Sequence, residues 1–182
     1  MNLPNKLTIF RMILIAPFLI LLLGGHEGWF GSWGKYTDYI ALGIFILASL
    51  TDLADGKIAR SRNLVTNFGK FMDPIADKLL VCSALIALIE LDRIPAWIVI
   101  VIIGREFIIS GFRLIASDRG MVLAASYWGK TKTACQMCMV CLMLLNYRPF
   151  QLVTDFLMWC SLFLTLVSLA DYLIKNRGVL QE

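Results

Sequence analysis

Apolar segments separated by short polar, glycine-, proline- or aromatic-rich connections make up most of the chain. The longest stretches without Asp, Glu, Lys or Arg are residues 12–26, 133–147 and 156–170, each of fifteen residues. A helix needs roughly 20 residues to cross a bilayer, so these stretches are short. If each helix crosses the bilayer, it must carry charged residues at one end. That end would then form a polar site at the membrane face.

This pattern predicts an all-α, polytopic membrane protein with six transmembrane helices, in a single domain over residues 1–182. The predicted spans are residues 7–23, 39–58, 70–89, 95–115, 133–145 and 150–173. The competing interpretation is a soluble bundle with buried core helices. The composition is 59% apolar and 16% charged, whereas a soluble domain is about 45–50% apolar with about 25% charge. The composition therefore favours the membrane protein.

Positive charges fall mainly on one side of the predicted spans. Of the 17 Lys and Arg residues, only Lys35, Arg93 and Arg148 lie on the other side. The positive-inside rule then places both termini in the cytoplasm, with residues 24–34 outside. Trp29 and Trp33 in that external loop are typical of an interfacial aromatic belt. The net charge of +4 suits anionic lipids or phosphates and does not require a nucleic-acid partner.

Four aspartates near the connection between the second and third spans suggest a chemical site. Asp52 and Asp55 are three residues apart, and Asp73 and Asp77 are four apart. On helices each pair shares one face. Four clustered carboxylates need protons or cations between them at pH 7. Carboxylate oxygens suit Mg²⁺, Mn²⁺ or Ca²⁺ better than zinc, which prefers His and Cys, so the spacing predicts a divalent-cation site.

The competing interpretation of these aspartates is purely structural. Each could be a helix-end acid paired with a nearby cation, the candidates being Lys57, Arg60, Lys70 and Lys78. Pro74 lies between Asp73 and Asp77. It would bend the third helix, unless that helix begins there with Asp73 as its cap.

The aspartates belong to a longer pattern that also contains Gly56, Ala59, Arg60 and Gly69. This pattern resembles, without a departure, the signature of the CDP-alcohol phosphotransferase family. Residues 2–11, residues 104–106 together with Arg113, and residues 129–133 resemble the family as well. The likeness is strongest to those members that transfer the phosphatidyl group of CDP-diacylglycerol to sn-glycerol 3-phosphate and release CMP.

The resemblance implies a membrane enzyme of phospholipid biosynthesis, usually a homodimer, with its active site at the cytoplasmic face. It implies that Mg²⁺ or Mn²⁺ is held by Asp52, Asp55, Asp73 and Asp77. Asp77 corresponds to the catalytic base. The positions that it assigns to CDP-diacylglycerol are Asn5, Thr8, Asp52, Gly56, Ala59 and Arg60.

A phosphorylated acceptor would need cations, and four lie on the predicted cytoplasmic side. They are Arg105, Arg113, Lys130 and Lys132. Arginine suits bidentate phosphate contact and lysine supplies a point charge. The alternative is that these residues only follow the positive-inside bias. Glu106 is a candidate partner for Arg105 or Lys130, or a structural ion pair.

Several other functions and motifs remain as alternatives. A family sibling could use phosphatidylglycerol, serine or inositol phosphate as its acceptor. A cation-coupled transporter could use the aspartates as an ion site, although no acids form a relay across the spans.

The Cys135-x₂-Cys138-x₂-Cys141 row lacks an obvious fourth ligand, and so favours packing over zinc binding. His26 likewise lacks a second ligand nearby.

Overall fold

A computed structural model describes residues 3–61, 67–118 and 126–176 of the chain. Within these ranges the side chains of residues 3–4, 35, 52–61, 67–71, 73–74 and 118 are not described. All regular elements in the described ranges are helical. The α-helices are α1 (Leu3–His26), α2 (Gly34–Ser61), α3 (Asn67–Glu90), α4 (Ala96–Asp118), α5 (Tyr127–Leu145) and α6 (Gln151–Lys175). Single 3₁₀ turns at Gly31–Trp33 and Arg148–Phe150 precede α2 and α6.

Each predicted span corresponds to one helix, but the helices are longer than predicted. The largest shift of a single boundary is at the fifth span, because α5 begins at Tyr127 rather than at Thr133. The sequence prediction started after Lys132, whereas lysine is a good helix former and does not end a helix. The helix α3 runs from Asn67 through Pro74, so the alternative of a helix beginning at Pro74 is wrong. Pro17 likewise lies inside α1.

The described helices pack as two compact units. The N-terminal unit consists of α1, α2 and α3, joined by Leu144–Asn146 from the end of α5. Within it, α1 contacts both other helices, and α2 contacts α3. The rings of Phe18 and Phe45 are buried, with their centroids 6.0 Å apart. Small buried residues such as Ala41 and Ala48 on α2 allow helices to approach closely.

Two similar turns end α1 and α3 within this unit. The backbone N–H of Trp29 donates to the carbonyl of Gly24 at 3.0 Å, across Gly28 at φ 81°. The N–H of Arg93 donates to the carbonyl of Leu88 at 2.9 Å, across Asp92 at φ 54°. Both are Schellman motifs, in which a left-handed residue reverses the chain after the last helical turn. The second turn directs Arg93 back over the end of the unit.

An ion cluster holds that end of the N-terminal unit together. The Nη2 of Arg93 donates to Asp38 Oδ2 at 2.5 Å and lies 2.9 Å from His26 Nε2. His26 Nε2 also lies 3.0 Å from Asp38 Oδ1. The cluster joins the end of α1, the start of α2 and the turn after α3, so successive helices are antiparallel. The start of α1, the end of α2 and the start of α3 therefore meet at the opposite end, which we call the aspartate end.

The C-terminal unit consists of α4, most of α5, and α6. Two aromatic pairs show that α4 and α6 run parallel. Trp97 pairs with Trp159 at 6.0 Å between ring centroids, and Phe112 pairs with Tyr172 at 6.4 Å. The helix α5 is antiparallel to α6, because Ser126, just before α5, donates to Asp171 and the thiol of Cys135 lies 3.7 Å from the carbonyl of Leu157.

The surface of α6 is inverted relative to that of a soluble helix. Leu152 is 84% exposed and Phe156 is 67% exposed, whereas Ser161 and Thr165 are fully buried. Small polar residues at close contacts and large apolar residues outside are typical of helices packed in lipid. Two described segments, Asn5–His26 and Arg148–Lys175, are long and apolar enough to span a bilayer.

Candidate active site

The aspartates occupy matching levels on two antiparallel helices. Asp55 lies six residues before the end of α2 at Ser61, and Asp73 lies six residues after the start of α3 at Asn67. At 1.5 Å per residue, both are about 9 Å from their helix ends. Asp52 and Asp77 lie one turn deeper on the same two helices. The prediction that both pairs lie on helices is confirmed, and α2 contacts α3.

The side chains of this constellation are described only in part. Asp77 is exposed, although its neighbour Ala76 is fully buried, so a substrate could reach its carboxylate. Six other predicted positions lie outside the described side chains, namely Asp52, Asp55, Gly56, Ala59, Arg60 and Asp73. The four-carboxylate site and the nucleotide contacts therefore stay predictions.

Three buried polar residues of α1 lie at the aspartate end. Asn5 and Thr8, predicted to contact the lipid donor, are 6% and 0% exposed. Arg11 follows at the same three-residue spacing and is also fully buried. Arg11 was not among the predicted site residues, although the spacing of three predicts that it shares a face with Thr8. A buried guanidinium needs compensating acceptors, so Arg11 is a structural or site cation.

A charged cluster connects α4 and α5 in the C-terminal unit. Glu106 Oε1 accepts hydrogen bonds from Arg105 Nη1 at 2.9 Å and from Lys132 Nζ at 2.5 Å. The side chain of Lys132 is 1% exposed and that of Arg105 is 9% exposed. Two buried cations thus share one carboxylate oxygen. We call this the Arg105–Glu106–Lys132 cluster.

Of the two alternative partners predicted for Glu106, the structure shows Arg105. Glu106 also contacts Lys132, rather than Lys130. Two residues on a helix are about 200° apart around the axis, so only one of the two lysines can face α4. Lys130 is exposed. The predicted contact between Lys130 and the acceptor phosphate stays a prediction.

Arg113 lies apart from the cluster on α4. It is eight residues beyond Arg105, about 12 Å along the helix. It is exposed, and its guanidinium carbon is 6.0 Å from the centroid of the Tyr172 ring. This geometry is a cation–π contact. The structure therefore brings Arg105 and Lys132 together and leaves Arg113 as a separate positive charge of the same unit.

A second polar contact fixes the start of α5. The hydroxyl of Ser126 donates to Asp171 Oδ2 at 2.6 Å, and Lys175 Nζ lies 2.6 Å from Asp171 Oδ1. The carbonyl of Ser126 accepts the N–H of Lys130 at 3.2 Å and so begins the helix. This contact anchors on α6 the turn of α5 that precedes Lys132.

The cysteine row on α5 makes contacts typical of packing. The thiol of Cys135 donates to the carbonyl of Leu157, Cys138 is exposed, and Cys141 is half-buried. Residues three apart drift around a helix by about 60° per step, so the row does not present three thiols to one point.

Comparisons with known proteins extend the sequence resemblance over nearly the whole chain. A family described as CDP-alcohol phosphatidyltransferase matches residues 1–167. The CDP-diacylglycerol–glycerol-3-phosphate 3-phosphatidyltransferase of Bacillus subtilis is 46% identical, over 99% of this chain and 97% of its own length. The protein of the same name from Haemophilus influenzae is 36% identical over 100% and 96%. A probable phosphatidylglycerophosphate synthase of Mycobacterium tuberculosis is 36% identical over 96% and 81%.

Proposed function

Because the chain belongs to the CDP-alcohol phosphatidyltransferase family, we propose that it transfers the phosphatidyl group of CDP-diacylglycerol to sn-glycerol 3-phosphate. The products are phosphatidylglycerophosphate and CMP. Relatives named for this reaction align over almost the full length of both chains. The structural observation that carries the proposal is the Arg105–Glu106–Lys132 cluster. Its two buried cations and one carboxylate leave net positive charge for a phosphorylated acceptor.

The donor diphosphate requires charge compensation, and the donor set of the aspartate end fits a hard divalent cation. Asp52, Asp55, Asp73 and Asp77 would hold Mg²⁺ or Mn²⁺ between α2 and α3, because all four offer carboxylate oxygens at matching helical levels. When bound, the cation would neutralise the diphosphate and improve CMP as a leaving group. Gly56, Ala59 and Arg60, with Asn5 and Thr8 on α1, are the proposed donor contacts.

Asp77 is the proposed general base. As the acceptor hydroxyl oxygen attacks the phosphorus that bears diacylglycerol, its proton passes to the Asp77 carboxylate, and the bond from that phosphorus to CMP breaks. The exposure of Asp77 supports this role. His26 is the only histidine and contacts Asp38 and Arg93 at the end of the unit opposite the aspartate end. Direct transfer, without a histidine-activated nucleophile, therefore agrees best with the chain.

We further propose that the protein spans a bacterial cytoplasmic membrane several times, with its active site at the cytoplasmic face. The inverted surface of α6 supports an apolar environment, since Leu152 and Phe156 would be costly to expose to water. Trp29 and Trp33 are 66% and 70% exposed in the loop between α1 and α2. This placement agrees with an aromatic belt at the external interface. The homodimer implied by the family stays a prediction.

Cysteine labelling of intact cells would test the orientation. In a variant without the five native cysteines, an impermeant maleimide should label Ser32→Cys from outside, but Asn2→Cys and Gln181→Cys only after permeabilisation. Ser32 is exposed in the loop before α2, whereas Gly28 has φ 81° and would be strained by a side chain. Labelling of both termini in intact cells would place the active site outside and contradict the proposal.

An acceptor panel would test the function. Purified protein with labelled CDP-diacylglycerol should release CMP with sn-glycerol 3-phosphate. Its kcat/KM should exceed that for glycerol by about 10²–10⁴-fold, because two charge-assisted contacts to phosphate would be lost. Serine, inositol phosphate and phosphatidylglycerol should support little turnover. Preference for one of these three would indicate a family sibling, and no CMP release with any acceptor would favour the transporter.

A further inference from the structure

The Nε of the Arg105 guanidinium is buried without a hydrogen-bond acceptor in the part of the chain that the structure describes. Arg105 uses Nη1 to donate to Glu106, whereas its Nε is buried and unpartnered there. A buried N–H without an acceptor is costly, and evolved sites retain such groups where a ligand completes them. In a guanidinium, Nε and Nη2 lie on the same edge and can donate two parallel bonds to one anion.

Gly129 on α5 lies beside this edge. A Cβ atom at position 129 would lie 3.4 Å from Arg105 Nη2. Any side chain there would therefore occupy space next to the donating edge. Glycine is a poorer helix former than alanine. Gly129 lies in the first turn of α5, so helix propensity does not explain why this position has no side chain. Space for a ligand at the Nε–Nη2 edge provides one.

Glu106 fixes the two cations that border this space. Its Oε1 lies 2.9 Å from Arg105 Nη1 and 2.5 Å from Lys132 Nζ. Without Glu106, two buried positive charges would repel each other and adopt other rotamers. With it, Arg105 is held through Nη1, which leaves the Nε–Nη2 edge directed away from the carboxylate.

We propose that Glu106 is a positioning residue for the acceptor, and that Gly129 keeps open the space that the acceptor phosphate enters. The phosphate monoester would accept from the Nε–Nη2 edge of Arg105 and would be attracted by Lys132. This inference rests on the proposed function, because it names the chain's own groups that would hold the phosphate of sn-glycerol 3-phosphate.

Glu106→Gln separates three roles for this residue. If Glu106 acts only as a negative charge, its removal should strengthen phosphate binding. If it is only a structural ion pair, the variant should lose thermal stability with KM for both substrates unchanged. Positioning predicts that KM for sn-glycerol 3-phosphate rises roughly ten- to hundredfold, as for the loss of one charge-assisted contact. The KM for CDP-diacylglycerol should change less than about twofold.

Asp38→Asn is the matched control, since Asp38 also contacts two basic residues, Arg93 and His26, at the end of the N-terminal unit opposite the aspartates. It should leave KM for sn-glycerol 3-phosphate within about twofold. Gly129→Ala gives a second, independent variant that improves helix propensity. It should raise KM for sn-glycerol 3-phosphate several-fold without lowering the melting temperature. If Glu106→Gln does not fold, this variant decides the outcome.

Direct binding distinguishes the failure of this inference from failure of the proposed function. Titration of the wild type and both variants with sn-glycerol 3-phosphate, without donor, should show weaker binding in the variants. Binding to the wild type without CMP release would reject the function but retain the phosphate site. Equal binding by wild type, Glu106→Gln and Gly129→Ala would overturn the positioning role, whatever the turnover.

Discussion

Replacement of Asp77 by Asn lowers the turnover number by about 10²–10⁴-fold, the usual contribution of a positioned general base. The amide has nearly the same shape as the carboxylate but cannot take the proton of the acceptor hydroxyl. Asp77 is exposed on α3, so the substitution leaves no core cavity and the protein should remain folded. The measurement is CMP release with both substrates saturating.

Asp155→Asn is the control for this variant, because Asp155 is an exposed aspartate on α6 outside the proposed site. Its turnover should equal that of the wild type. Loss of the divalent cation could mimic loss of a base, so Mn²⁺ binding to Asp77→Asn needs a separate titration. Turnover within a few-fold of wild type would remove Asp77 from the mechanism. Lost turnover together with lost Mn²⁺ binding would leave it as a ligand only.

The six helices were predictable because apolar runs and charge placement are local properties of the sequence. Their ends were less predictable, since a span defined by the absence of charge stops at the first lysine, whereas the helix backbone does not. The start of α5 illustrates the difference. The backbone around Lys130 and Lys132 is helical because the carbonyl of Ser126 accepts the first N–H, and nothing in a hydropathy window reports that bond.

The identities of the site residues were easier to predict than their partners. The aspartate pairs and the cations follow from spacing and from the cost of charge near a membrane. Which lysine meets Glu106 depends on the rotation of α5 about its axis relative to α4, a tertiary property that spacing alone leaves open. The burial of Arg11 and the proximity of Gly129 to Arg105 also depend on packing between helices, so neither could be assigned from the sequence.

Removal of divalent cations should reduce turnover by about 10³-fold, because several kcal/mol of charge stabilisation at the diphosphate would be lost. Extensive dialysis against EDTA, followed by assay with and without added Mg²⁺ or Mn²⁺, measures the effect. Either cation should restore activity, whereas Ca²⁺ and Zn²⁺ should restore less, since a carboxylate set on rigid helices favours small hard ions. Full activity after rigorous chelation would contradict the proposed cation site.

A substitution of one proposed ligand at the aspartate end tests whether the cation dependence comes from the aspartates themselves. Asp73→Asn should raise the Mn²⁺ concentration for half-maximal activity by at least about tenfold, the loss of one charged contact to the ion. Asp92→Asn is the matched control on the same chain segment. It follows the other end of α3 at φ 54°, a conformation that Asn tolerates well, so both fold and cation dependence should be unchanged. An equal shift in the two variants would mean that the response reflects general surface charge. A shift confined to Asp73→Asn would place the cation among the aspartates of α2 and α3.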